Sequence, residues 1–191
     1  DKRNFLISNS LVGNQTDTAV IEFAFQGPLL KVENGKINFA IAGNVNFKIK
    51  KGSTDIIDGE CYKTYILEEN DMLDIISTNK SVYGYLAITG GFDVEKYWDS
   101  SSTTVRAGVG ANNGNKISEG DKINTNNTKK KYVSKKLNYM NSKIEFIRIL
   151  KGTNFDYFSN NSINKFLNGE FEVSKLTDRM GMRVSGPKII H

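Results

Sequence analysis

The residues best suited to chemistry fall in two segments. The first runs Tyr85-Leu86-Ala87-Ile88-Thr89-Gly90-Gly91-Phe92-Asp93 and resumes at Ser100-Ser101-Ser102-Thr103-Thr104-Val105-Arg106-Ala107-Gly108-Val109-Gly110. An apolar run ends in two adjacent glycines, which reach backbone angles closed to other residues and let another group approach the main chain. Clustered hydroxyls, the Arg106 guanidinium and further glycines suit an anion such as a carboxylate or a phosphate. The same pattern also describes an ordinary serine-glycine loop. It is not a P-loop, because no Gly-Lys-Ser/Thr follows, nor a dinucleotide fingerprint, because the spacing and the following helix are missing.

The second segment is Thr177-Asp178-Arg179-Met180-Gly181-Met182-Arg183-Val184-Ser185-Gly186-Pro187. On an extended chain Arg179, Gly181 and Arg183 would share one face. Two arginines so placed can clamp a carboxylate or carbonate-like group in bidentate fashion. An Asp178–Arg179 bridge that fixes a turn fits the same residues equally well.

Other chemistries are excluded by residue type. A single cysteine, Cys61, leaves no internal disulfide framework and no multi-cysteine metal site, and no metal is expected. The single histidine, His191, is the last residue, which argues against a Ser-His-Asp or Cys-His site. The net charge of +5 comes from one tract, since Lys129, Lys130, Lys131, Lys135 and Lys136 supply five of the 26 basic residues against 21 acidic ones. A local run of that kind reads as a solvated linker rather than a nucleic-acid face. No apolar run reaches the ~18 residues of a membrane span, and no signal peptide opens the chain. A cytoplasmic location without membrane or nucleic-acid partners is the expectation.

The elements that must hold these segments are mostly strands. Residues 1–13 read as a helix, with Phe5, Leu6, Asn9, Leu11 and Val12 on one face and Gly13 as its left-handed stop. From Ala19 the period changes to two. Strands are expected at Ala19–Phe25, Leu30–Val32, Ile37–Ile41, Asn46–Ile49, Thr54–Ile57, Tyr62–Leu67, Met72–Ile76 and Tyr83–Thr89. So many short strands indicate a barrel or a sandwich. Residues 111–143 are polar and turn-rich, with one short strand expected near Ile117–Ile123. A strand at Ile144–Leu150, a helical region holding Phe155, Phe158, Ile163, Phe166 and Leu167, and strands at Phe171–Val173 and Met182–Val184 complete the chain. The division expected is a first subdomain at 1–123, an Asn/Lys-rich linker at 124–143 and a second, incomplete subdomain at 144–191.

Together these motifs resemble the family that includes the C-type component of bacterial 5-oxoprolinase. That family is also labelled allophanate hydrolase subunit 2 and biotin-dependent carboxyltransferase, and it includes the kinase regulator KipA. Family members show "YLAVAGGID" where Tyr85–Asp93 reads YLAITGGFD, and "SRSTYLRAGLGG" where Ser100–Ala111 reads SSSTTVRAGVGA. They show "IRVLPGP" where Ile147–Thr153 reads IRILKGT, "SDRMGLRLEGP" where Thr177–Pro187 reads TDRMGMRVSGP, and "NLLVGN" where Asn9–Asn14 reads NSLVGN. Ser101 stands where an arginine is frequent, which removes one anion ligand, and Lys151 where a proline is usual. The family's upstream "DLGR…GxPxSGAMD" segment, apart from its final aspartate, and its "DRQTTGGYP" segment have no counterpart here, so a fragment is expected.

The resemblance implies a mainly β fold of two cyclophilin-like β-barrel subdomains, the second only in part, with a few short helices. It implies a subunit of an ATP-dependent hydrolase that opens the cyclic amide of 5-oxoproline to glutamate. Its partners would be the complex's B-type component, which is KipI-like, and its A-type component. ATP belongs to the complex and not necessarily to this chain. The alternatives are a KipA-like regulator that binds the KipI-like partner, and the carboxyltransferase half of a biotin-dependent urea or amide carboxylase, where biotin would carry the carboxyl group. Under the resemblance Arg106, Arg179 and Arg183 become oxyanion or carboxylate ligands, and Asp178 orients Arg179. Ser102 and Thr103 become hydrogen-bond donors, and Gly90 and Gly91 present backbone N–H groups. No general base stands out.

Overall fold

A computed structural model describes residues 1–52, 54–126, 132–138, 145–178 and 181–191. The chain divides into two units, Asp1–Met140 and Asn141–His191. The first opens with helix α1 (Lys2–Leu11). Eight strands follow: β1 (Ile21–Ala24), β2 (Leu29–Lys31), β3 (Lys36–Ala42), β4 (Val45–Lys51), β5 (Asp55–Asp58), β6 (Thr64–Glu68), β7 (Met72–Thr78) and β8 (Tyr83–Ile88). They form two four-stranded antiparallel sheets, ordered β1-β8-β3-β6 and β2-β7-β4-β5. The mainly β architecture and the eight-strand succession are as expected from the period-two pattern.

Strand β4 shows the rule that builds the core. Val45, Phe47 and Ile49 are buried, while Asn46 is exposed and Lys48 and Lys50 are half-buried. Successive side chains of a strand point to opposite faces, so one apolar set enters the core. Its centre is a ring cluster in which Phe39 stacks on Tyr65 at 5.7 Å and meets Phe47 edge-on at 6.3 Å. Strand β3 breaks the alternation, with Phe39 to Ala42 all buried. One face of it carries Phe39 and Ile41 into this core. On the other, Ala40 lies opposite Ala87 of β8, and both pack with Leu11 and Val12 at the end of α1. Two small side chains in register leave a seat for a helix.

The helix fills that seat with part of the expected face: Asn9, Leu11 and Val12 are buried, whereas Phe5 and Leu6 are only half-buried and Asn4 and Ser8 are buried as well. The polar groups enter because each finds a partner. Tyr62 Oη donates to Asn4 Oδ1 (2.9 Å), Ser8 Oγ to Phe5 O (2.9 Å), and Asn9 Nδ2 to Thr18 O (2.8 Å). Asp1 caps the helix, accepting from the N–H groups of Arg3 and Asn4. Gly13 takes the left-handed angle expected of a helix stop, at φ +73°.

Two expectations on the later chain are corrected. No strand forms near Ile117–Ile123: Asp121 Oδ2 accepts the Ser118 N–H (2.8 Å), and Gly120 has φ +86°, so side-chain capping makes a turn there. Nor do residues 145–150 form a strand. Ile147 and Leu150 are 85% and 96% exposed, and among the described residues no strand pairs with this stretch. Alternation marks a strand only where a neighbouring edge receives its hydrogen bonds.

Residues 132–138, within the expected linker, pair with residues 62–64 at the start of β6. Thr64 N–H donates to Lys135 O (3.0 Å), Lys135 N–H to Thr64 Oγ1 (2.8 Å), and Leu137 N–H to Tyr62 O (2.9 Å). Tyr132 Oη donates to Lys36 O (2.5 Å), Lys135 Nζ to Ser10 O (3.0 Å), and Lys136 pairs with Glu60 at 2.6 Å. Two of the five tract lysines therefore anchor this segment.

The second unit holds helix α2 (Asn160–Asn168) and a hairpin of β9 (Glu172–Asp178) with β10 (Gly181–Ser185). The expected helical region thus begins at Asn160, and Phe155 lies before it in a 3₁₀ turn. Ser159 caps α2, and Ser162 Oγ donates to Ile190 O (2.6 Å), tying the last residues to the helix. Among the described residues no helix is long and apolar enough to cross a membrane. Phe39→Ala should cost about 3–5 kcal/mol of unfolding free energy, the range for a large aromatic lost from a packed core. Urea denaturation of the purified chain measures it.

Candidate functional site

Strand β8 ends in the glycine pair, and the pair is locked from two sides. Asn14, just after α1, accepts the Gly90 N–H on Oδ1 (2.8 Å). Its Nδ2 donates to Ile88 O (2.7 Å) and Asn9 Oδ1 (3.0 Å). From the other side Asn126 Nδ2 donates to Gly90 O and Phe92 O (3.2 Å each), and its N–H donates to Gly91 O (3.1 Å). The Gly91 N–H donates to Ile88 O (3.0 Å). The N–H groups of Gly90 and Gly91, expected to face a ligand, are engaged inside the fold instead. Glycine is required for closeness as well as angle: Gly91 has φ +81°, and a Cβ there would stand 2.3 Å from Thr18 Cγ2.

The lock extends into the sheet. Thr89 N–H donates to Asn38 O (2.8 Å), and Thr89 Oγ1 lies 3.0 Å from Asn38 Oδ1 and 3.2 Å from Val12 O. Asn38 is buried and donates to Tyr65 O (3.0 Å). One polar chain thus runs from the end of α1 through the glycine turn to β6.

The serine loop is held by its own backbone and carries its polar side chains outward. Tyr97 and Ser100 exchange two N–H···O bonds of 2.9 Å across Trp98 and Asp99, which take φ +50° and +61°. Thr104 N–H donates to Val109 O (2.8 Å), closing a 3₁₀ turn over Val105–Ala107. Gly110 lies so close to the incoming chain that a Cβ would stand 2.2 Å from Ser102 O. Ser102 and Arg106 are exposed. Thr103 Oγ1 donates to Ala111 O (3.2 Å), so its hydroxyl proton serves the loop rather than a ligand. The structure therefore brings Ser102, Thr103 and Arg106 onto one closed loop and leaves Gly90 and Gly91 in the joint beneath the end of α1.

In the second unit Arg183 is exposed on β10. The β9–β10 register shifts between Met182 and Val184, so that Ser174, Lys175 and Leu176 of β9 face Arg183 alone. Asp178 pairs with Gly181 through the backbone. Arg179 lies outside the described residues, and the expected shared face of Arg179, Gly181 and Arg183 with it. Cys61 offers no ready nucleophile, because burial pushes its thiol pKa up and its S–H donates to Val45 O (3.2 Å). Among the described residues no cluster of His, Cys, Asp and Glu could hold a metal. Sequence reading missed Asn14 and Asn126 as the clamps of the glycine turn. The one available signal was Asn14 closing the NSLVGN motif.

Comparison with known proteins gives this arrangement a family context. The model of the carboxyltransferase domain, subdomain A and B, matches residues 1–191. Urea amidolyase of Saccharomyces cerevisiae is 28% identical over 203 residues, covering 98% of this chain and 11% of that protein. The C-type component of 5-oxoprolinase from Haemophilus influenzae is 25% identical over 194 residues, covering 97% of this chain and 58% of that protein. The chain therefore spans little more than half the length of that relative. In fold it is similar to the crystal structure of TTHA0988, with a TM-score of 0.84 at 22% identity over 100% of this chain and 68% of that one.

Asn14→Ala strands the Gly90 N–H and removes both donor contacts. A loss of about 1–3 kcal/mol for each buried group left unpaired is expected. Denaturant titration gives the loss, and amide hydrogen exchange should show Gly90 losing protection before the strands do.

Proposed function

This chain belongs to the carboxyltransferase domain family, subdomains A and B, and on that premise we propose that it works as a subunit of an enzyme complex that opens an amide C–N bond. The reaction favoured is ring opening of 5-oxoproline to glutamate, coupled to ATP hydrolysis in the cytoplasm. The observation that carries this reading is the match to a 5-oxoprolinase component over 97% of the chain, within a family match across residues 1–191.

In this reading the exposed Arg106 guanidinium receives the substrate carboxylate through two parallel N–H···O bonds, with the Ser102 hydroxyl beside it. On the second unit Arg179 and Arg183 are separate candidate ligands for a carboxylate or an oxyanion. Asp178 orients Arg179. The glycine turn does not fit a nucleoside triphosphate: no Gly-Lys-Ser/Thr follows the pair, and its N–H groups are taken by Asn14 and Ile88. ATP is therefore assigned to the partners, the KipI-like B-type component and the A-type component, which would also supply the general base.

The relative named urea amidolyase, at 28% identity, favours a second reading. There Arg106 would hold a carboxylated amide while a carboxyl group passes to or from biotin carried by another domain.

Co-expression of the natural full-length protein with homologues of the B-type and A-type components should give ATP-dependent release of glutamate from 5-oxoproline. No release alongside intact binding of the KipI-like partner would instead support a KipA-like regulatory role. In the active complex Arg106→Ala and Arg179→Ala should each lower kcat/KM about tenfold or more, as loss of a charge-assisted hydrogen bond of ~1.5–3 kcal/mol implies. An unchanged rate removes that arginine from the site.

A further inference from the structure

Three asparagines in this chain precede a glycine: Asn34, Asn113 and Asn168. An Asn-Gly pair can cyclise on itself. The glycine backbone nitrogen, once deprotonated, attacks the asparagine Cγ, a new C–N bond forms, and the side-chain nitrogen leaves as ammonia. One water then opens the resulting succinimide at either carbonyl, giving aspartate or isoaspartate. Glycine favours the reaction because no Cβ hinders the attack. The fold decides which pair reacts, since a glycine N–H held in a hydrogen bond is neither easily deprotonated nor free to swing onto Cγ.

Two of the three pairs are held. Gly114 N–H donates to Gly110 O (3.0 Å) and Ala111 O (3.1 Å), and Gly114 is buried against the backbone of Gly108. Gly169 N–H donates to Lys165 O (2.9 Å) at the end of α2, a position packed so closely that a Cβ would stand 2.4 Å from that oxygen. The third pair differs in how its glycine is held. Gly35 is exposed in the turn between β2 and β3, nothing lies within 4 Å of where its Cβ would be, and among the described residues its N–H has no hydrogen-bond partner.

From this contrast we infer that Asn34–Gly35 is a spontaneous modification site, the one Asn-Gly pair whose geometry permits succinimide formation in the folded protein. The product adds a carboxylate beside Glu33, which already pairs with Lys122 at 3.1 Å. In the isoaspartate form it also adds a backbone atom just before β3, the strand that carries Phe39 and Asn38. The change falls beside Lys36, whose side chain pairs with Glu68 and whose carbonyl accepts from Tyr132. The inference is independent of the proposed enzymatic activity.

The test incubates the folded chain at 37 °C at neutral and at mildly alkaline pH, then digests it with trypsin. The three pairs fall in separate peptides: residues 32–36, 107–116 and 166–175. Mass spectrometry detects replacement of the amide NH2 by OH, and methylation by an isoaspartyl methyltransferase identifies the isoaspartate. The 32–36 peptide should convert several-fold faster than the other two, and faster at the higher pH, with Asn34→Ser abolishing that signal. In urea the three rates should converge. Conversion at Asn113 or Asn168 as fast as at Asn34 in the folded chain, or an unchanged ratio in urea, overturns the inference.

Discussion

A single carboxamide joins parts of the first unit that lie more than seventy residues apart in sequence. Asn14 has one acceptor oxygen and two donor hydrogens, and it engages all three, with Gly90, Ile88 and Asn9. The end of α1, the end of β8 and the glycine turn therefore meet at one side chain. Without it, a turn of two positive-φ glycines would have many conformations and few reasons to keep one. Asn126 closes the opposite side, and the position where the chain leaves the sheet for the serine loop is fixed from both directions.

This explains how an exposed loop can be well placed. The loop's own hydrogen bonds set its internal shape, through the Tyr97–Ser100 and Thr104–Val109 pairs. Its launch point is set by the polar chain from Asn14 through Thr89 to the buried Asn38. Arg106 rides on a closed turn held at that fixed point.

The strands of the first unit were legible in the sequence because period two is a local signal, and β4 carries it plainly. The helix at 2–11 was legible in extent and in part of its orientation. Asn9, Leu11 and Val12 of the expected face are buried, but Phe5 and Leu6 are only half-buried, and burial fell also on Asn4 and Ser8; the partner of Asn4 is Tyr62, 58 residues away. The role of the glycine pair was misread for the same reason: its angles can be inferred locally, but the group that takes its N–H lies 76 residues away. The arginines were found by type and by family resemblance. Strand propensity alone over-assigned residues 145–150 and 117–123, where no neighbouring edge or a competing side-chain cap decides the outcome.

The segment at 132–138 bears on how copies of this protein behave toward one another. An open sheet edge is a row of donors and acceptors that another chain can zip onto. At the start of β6 that row is already occupied, at Tyr62 and Thr64, by the protein's own backbone. The segment that fills it brings two lysines, one on the Ser10 carbonyl of α1 and one on Glu60. At these positions the backbone groups are already engaged and are closed to an incoming strand. Part of a stretch that reads as a solvated linker in the sequence thus serves as an edge cover for the sheet.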